Sequence, residues 1–302
     1  MKGIISENVG EPFKIVDNLE VPEPSSDQIL VKSIYMAINP ADELMRSTGV
    51  LVQEWPLGLG LDVAGIVVKA GENAASSFKV GDRVCGCSRL GYRGYNGGQE
   101  YFLMDARVTI PKPKNISLVE AATIGVGVEL LDICGYKVIA SCSEQSVPLV
   151  KSQGARAVFD YKKSIRDQVK TVLDITKGRV HRVFDAAATG DAFAKELFKK
   201  LPAAGPKLFS TTNAWSKMTD FEGGKTKIVK MSTIGRPNGE HINKLLEEYI
   251  PVFVALFEQG KLLPAPFDLI EYGGFEDALE AYRYHQKGAG RSHKVVVKIQ
   301  DE

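Results

Sequence analysis

Eight residues, Glu129 to Tyr136, separate the run GVGV at 125–128 from the strand-like KVIASCS at 137–143. That spacing limits the fold of the second half more than any other feature. KVIASCS follows a Gly-Tyr turn, and behind it come the helix-like SEQSVPLVKSQG and the strand-like ARAVFDY, so the succession reads βαβ. A dinucleotide fold first supplies a strand, a glycine turn and a helix, and a βαβ start of that kind needs roughly 30 residues. Eight cannot hold it. Gly125 and Gly127 look like part of a glycine fingerprint, but the third glycine is absent and an Ala-rich helix signal precedes them in place of a strand.

A chain of 302 residues exceeds one ordinary core and suits two domains. Its net charge of +1 supplies no field that would attract nucleic acid or an anionic membrane. The N-terminus has no apolar segment followed by a cleavage site, and no run reaches the roughly 18 apolar residues of a membrane span. The expectation is a cytoplasmic protein. Cys85, Cys87, Cys134 and Cys142 form no CxxC pair, so they read as free thiols.

Short β-rich runs at 2–6, 13–16 and 28–36, separated by Pro-rich turns, make the first lobe mainly β. ADELMRSTG reads as a short helix closed by Gly49, and LGLDVAGIVVK and VGDRVC as strands. GYRGYNGG at 91–98, with four glycines, reads as a mobile loop that could wall or cover a ligand. Ser117, three residues before Glu120, is a candidate helix N-cap. From Gly135 strands and helices alternate: KVIASCS, ARAVFDY, HRVFDAA, PKLFSTT and KIVKMSTIG are strands, and the segments between the first four carry helical spacing. The pattern predicts a parallel doubly wound sheet. An amphipathic helix follows at 243–260, with Pro251 expected to kink it, and the tail reads strand, helix, strand.

Taken in order, INPADELMR, GLDVAGIVV, VGDRVCG, GGQEYFLMD, EAATIGVGV, GYKVIASCS, LVKSQGARAVFDY and GRSHKVVVKI resemble the medium-chain dehydrogenase/reductase superfamily. Within it the chain is most similar to fungal trans-acting enoyl reductases of polyketide synthases, and more distantly to quinone oxidoreductases. The resemblance implies an α/β fold: a GroES-like β-rich domain from 1–122 with 264–302, and a truncated Rossmann-like domain at 123–263. It implies NADPH as cofactor and an α,β-unsaturated thioester, small or carrier-bound, as substrate. A polyketide synthase is the implied partner, with neither nucleic acid nor membrane. Monomer and homodimer both stay open. The zinc-dependent branch needs a cysteine and a His-Glu pair where Asp42 and Gly60-Leu61-Asp62 stand here, so no metal is expected; His181, His241, His285 and His293 show no metal-binding spacing.

Carried over by position, Asn39, Pro40, Ala41, Asp42, Glu43 and Leu44 would lie on the nicotinamide side of a cofactor between the lobes. A plain turn, with Asn and Asp bonding their own backbone, is the alternative. Ser143, at a strand's C-terminal end, would receive the adenosine ribose; with Ser146 it could bind a 2′-phosphate, whereas a carboxylate there would favour NAD. Tyr161 matches a tyrosine near adenine. Ile234 and Gly235 match a strand-end backbone pair beside the nicotinamide, and His293 and Lys294 a C-terminal pair closing on the cofactor. No residue stands out as a proton donor; Tyr92, Tyr95 and Tyr249 are the candidates.

The spacing then bears on function. The missing strand and turn would take away the helix N-terminus that holds a pyrophosphate, and the strands flanking the missing one would pair with each other or leave open edges. Three outcomes follow: a non-redox, cyclase-type enzyme, a non-catalytic synthase accessory, or a deletion form of an ordinary reductase.

Overall fold

The computed structural model describes residues 1–124, 127–202, 205–218, 220–221, 223–271, 273–288 and 293–302. Gly125 and Val126, half of the GVGV run, lie outside them. So do Arg291 and Ser292 of the C-terminal motif. The chain forms two compact units, 1–126 with 232–302, and 127–231.

The first unit opens with β1 (Gly3–Ser6), β2 (Lys14–Val16) and β3 (Gln28–Ala37), followed by α1 (Pro40–Thr48) and β4 (Leu57–Gly58). Then come β5 (Asp62–Ala70), β6 (Arg83–Cys87), β7 (Tyr101–Asp105), β8 (Ile110–Pro111) and α2 (Leu118–Ala121). Asn39 precedes α1 in an extended conformation, Pro40 supplies a fixed φ at N1, and Gly49 closes the helix at φ 72°. β3 is the axis of the main sheet. It pairs antiparallel with β5 along one side, and with β7 over its first half on the other. The alternation expected of a half-exposed sheet is absent from β3 because both of its faces pack: Ile29, Val31, Val63, Val67 and Phe102 on one, Met36, Leu59 and Val297 on the other.

The second unit holds α3 (Gly127–Ile133), β9 (Ile139–Cys142), α4 (Val147–Ser152), β10 (Ala157–Asp160), α5 (Ile165–Thr176), β11 (Arg182–Asp185) and α6 (Asp191–Lys200). β12 (Lys207–Thr211), β13 (Asp220–Phe221) and β14 (Gly224–Ile228) complete it. The alternation is as expected, but the sheet is in two pieces: β10–β9, and β11–β12–β14–β13. Every ladder is parallel except β13–β14. In a doubly wound sheet ordered 3-2-1-4-5-6 the first strand lies between the second and fourth. These pieces are therefore 3-2 and 4-5-6, divided where the first strand is missing. Of the two outcomes the spacing allowed, open edges are the one found: no ladder joins β9 to β11 among the described residues. Near their entries Arg182 Nη1 donates to the Tyr136 hydroxyl at 2.5 Å. The core of this unit gathers under the larger piece, around Val172, Leu197, Phe198 and Phe209.

The strand expected over KIVKMSTIG is shorter and earlier. β14 ends at Ile228, and Met231–Thr233 form one turn of 3-10 helix. Apolar residues run past the ladder, but the 3-10 turn ends the extended run, and Gly235 behind it has a φ of 75°. The chain returns to the first unit through α7 (Glu240–Glu258), β15 (Phe267–Ile270), α8 (Phe275–Gln286) and β16 (Lys294–Lys298). α7 runs unbroken through Pro251 and packs against β8 and the turn at Ala106–Val108, so it groups with the first unit, whereas the sequence places it with the second. β15 and β16 extend the main sheet, β16 pairing with the end of β3 at Ala37.

Candidate functional site

Three chain segments meet where β3, β5 and β16 converge. Asn39 follows β3, Asp62 opens β5 opposite Ala37, and Lys294 opens β16. Lys294 Nζ donates to Asn39 Oδ1 at 2.5 Å and to Asp62 Oδ2 at 2.6 Å, and Asn39 Nδ2 donates to the same Asp62 oxygen at 3.1 Å. The lysine and aspartate are each about a quarter exposed. This is a charged triangle at the rim of an apolar sheet, held from three directions.

Asp42 lies beneath it at 2% exposure. Its Oδ2 accepts the Asn39 N–H at 2.7 Å and its Oδ1 the Gly60 N–H at 3.0 Å. Burial pushes its pKa up to about 7, against the pull of those two N–H groups; nearby Asp62 adds to the rise and Lys294 opposes it. Both carboxylate oxygens are thus engaged in fixing backbone. The rest of the motif divides: Ala41 is half-buried, Leu44 is exposed, and Glu43 pairs with Arg46 at 2.9 Å while accepting from the Tyr282 hydroxyl. His293 turns to Asp268, with Nδ1 2.8 Å from Oδ1.

Gly235 and Ile234 stand after the 3-10 turn and not at a strand end. The Gly235 N–H donates to Asn243 Oδ1 at 2.8 Å and its carbonyl accepts from Arg89 Nη2 at 2.6 Å. A Cβ here would stand 2.0 Å from Asp105 Oδ2, so the position requires glycine twice over.

The GYRGYNGG segment is not the mobile loop its composition suggests. Tyr95, Asn96, Gly97 and Gly98 are buried, and the N–H groups of Gly97 and Gly98 donate to Gly60 and Leu59 at 2.9 and 2.8 Å. Its glycines serve close packing: a Cβ on Gly91 would meet the Leu51 carbonyl at 2.0 Å. Tyr95 is locked against Gln28, and burial raises its pKa to about 12. Tyr249 is exposed on α7.

In the second unit Ser143 directly follows β9, half-buried, with its Oγ 3.2 Å from the Ser146 Oγ across a single 3-10 turn. Glu144 between them is exposed. Tyr161 follows β10 and is 53% exposed. Sequence reasoning passed over Asp62, Arg89 and Arg236. The one available signal was a charge at the entry of an otherwise apolar strand, shared by Asp62 and Lys294 at a separation of 232 residues. Among the described residues no group of three or more His, Cys, Asp or Glu is placed to hold a metal ion, and no helix is long and apolar enough to cross a membrane.

Residues 25–114 match the alcohol dehydrogenase GroES-like domain. The chain is 30% identical to the trans-enoyl reductase TOXD of Cochliobolus carbonum, over 61% of this chain and 74% of that protein. It is 27% identical to the enoyl reductase component lovC of the Aspergillus terreus lovastatin nonaketide synthase, over 91% and 90%. Among solved structures, the JamJ enoyl reductase superposes with a TM-score of 0.77 at 18% identity, covering 99% of both chains.

Proposed function

Because this chain belongs to the medium-chain dehydrogenase/reductase superfamily, we propose that it is an NADPH-dependent enoyl reductase of the trans-acting kind. Its substrate is an α,β-unsaturated thioester presented by a polyketide-type synthase, which is the partner this reading implies. The observation that carries the reading is the Lys294 ammonium fixed between Asn39 and Asp62. NADPH bound beside this group would supply a hydride for the β-carbon, and solvent would supply the proton for the α-carbon. Lys294 meets the negative charge that grows on the thioester oxygen. A fixed cation does so without reorganising, and two of its three N–H bonds are already committed, so the third is the one offered to substrate. Asn39 and Asp62 set its direction.

The residues fit the cofactor at its ends. Ser143 and Ser146 supply two neighbouring hydroxyls at a parallel strand's C-terminal end, suited to a 2′-phosphate. The fit is poorer in the middle: no strand precedes α3 among the described residues to form the strand, turn and helix that cradle a pyrophosphate. That split supports a second reading, a cyclase-type or accessory protein serving the same class of synthase. The two separate in a turnover assay with NADPH and an enoyl-pantetheine thioester. Reduction is expected to consume nicotinamide absorbance, with Lys294→Met slowing kcat by at least about tenfold while leaving KM for NADPH within a few-fold. Conversion without nicotinamide consumption would overturn the reductase reading.

A further inference from the structure

Two arginines lie beside the Gly235 turn, and one carboxylate, Asp105, pairs with only the first of them. Arg89, two residues past β6, places Nε 3.0 Å from Asp105 Oδ2, makes a second short contact through Nη2 to Asp105 Oδ1, and reaches the Gly235 carbonyl. Asp105 is thereby spent. Arg236, 9% exposed, donates Nη2 to the Leu90 carbonyl at 3.0 Å, and its guanidinium lies 4.2 Å from the centre of the Tyr92 ring. The Arg89 guanidinium lies 5.6 Å from the same ring. Among the described residues Arg236 has no salt-bridge partner, and its buried Nε has no acceptor.

Buried charges are ordinarily paired, because desolvation is costly and an ion pair or hydrogen bonds must offset it. Here burial lowers the Arg236 pKa and Arg89 adds repulsion, while Tyr92, Asp105 and Glu54 oppose that fall from nearby, although neither carboxylate is within ion-pair distance of Arg236 among the described residues. Arginine nevertheless stays protonated in proteins. A cation held in place by an aromatic face and a carbonyl, with no counter-charge of its own, is suited to take one from a ligand. We propose that Arg236, backed by Arg89 and Tyr92, is a binding site for a phosphate group. A guanidinium fork meets phosphate oxygens two at a time. Phosphate also carries more acceptor oxygens and, near neutral pH, more negative charge than a carboxylate, and two guanidiniums flank the Tyr92 ring here. The phosphate could be that of a nucleotide or that of a carrier protein's pantetheine arm. The site does not depend on the enoyl reductase reading, since inorganic phosphate alone tests it.

The test is a 31P titration of inorganic phosphate with the full chain at low chloride. Saturable broadening is expected, weakened at least about tenfold by Arg236→Gln and unchanged by Arg107→Gln, whose arginine pairs with Glu240 and Glu247 on the surface. If Arg236→Gln loses its far-UV circular dichroism, Tyr92→Leu, which leaves both charges in place, is expected to weaken binding several-fold. Displacement of phosphate by NADPH would identify the nucleotide as its source, and displacement by phosphopantetheine the carrier arm. The proposal is overturned if the unaltered chain shows no saturable phosphate binding, if binding is undiminished in the folded variants, or if acetate displaces phosphate at equal concentration.

Discussion

Asp42 has the contacts of one of the two readings its motif leaves open. Beside Asn39 the sequence allows a neighbour of a cofactor or a turn residue bonding backbone, and the structure points both oxygens at backbone N–H groups and closes water out. The consequence is a pH dependence. With a folded pKa near 7 against an ordinary 3.8, the unfolded chain releases this proton from about pH 4 upward while the folded chain keeps it. Asp42 therefore makes the protein lose stability as pH rises from about 4 to about 7, with no further loss above that. Urea midpoints measured across that window should fall, and the part of the fall due to this group should vanish in Asp42→Asn. An unchanged slope in the variant would show that the carboxylate ionises freely. Gly235 makes the second prediction at this scale. Its φ of 75° and the 2.0 Å approach of Asp105 mean that Gly235→Ala should cost about 2 kcal/mol or more, read as a lowered denaturation midpoint.

At the scale of elements, what was legible followed local chemistry. Ser117 and Glu120 form the capping box that their spacing announces, with the Glu120 carboxylate accepting the Ser117 N–H at 2.6 Å. Ser117→Ala should cost about 1 kcal/mol in the same denaturation assay. Gly49 closes α1 as read, and the helix starts one residue before the expected Ala41, at Pro40. Two readings failed because composition does not report packing. GYRGYNGG is glycine-rich so that backbone can approach Gly60, Leu59 and Leu51, not so that it can move. KIVKMSTIG carries apolar residues past the end of β14 at Ile228, but Met231–Thr233 turn into a 3-10 helix, which their composition does not announce. The missing first strand was legible from spacing alone, but whether its neighbours would close up depends on tertiary geometry that spacing does not encode. They remain apart, leaving β9 and β11 each with one edge unpaired among the described residues; Phe184 in the middle of β11 is 51% exposed. Hydrogen exchange should therefore be faster in 139–142 and 182–185 than in 207–211, which is paired on both sides, by about an order of magnitude or more. Equal protection of all three segments would mean that the edges are closed in solution.

For the whole molecule, the two units carry different shares of the account. The first has a continuous 7-stranded sheet, apolar clusters on both of its faces, and charged groups fixed at its rim by residues far apart in sequence. The second keeps the strand ends that would receive an adenosine phosphate but is divided where a pyrophosphate would be held. Family membership was readable because its motifs lie along nearly the full chain. The Lys294–Asp62 pairing was not, because nothing local joins two charges 232 residues apart. Titration of the purified chain with NADPH, followed by nicotinamide fluorescence, tests the central claim most directly. The account predicts saturable binding, with NADPH preferred over NADH and the preference reduced when Ser143 and Ser146 are both replaced by alanine. No saturable binding at millimolar NADPH would contradict it and leave the cyclase-type or accessory role in its place.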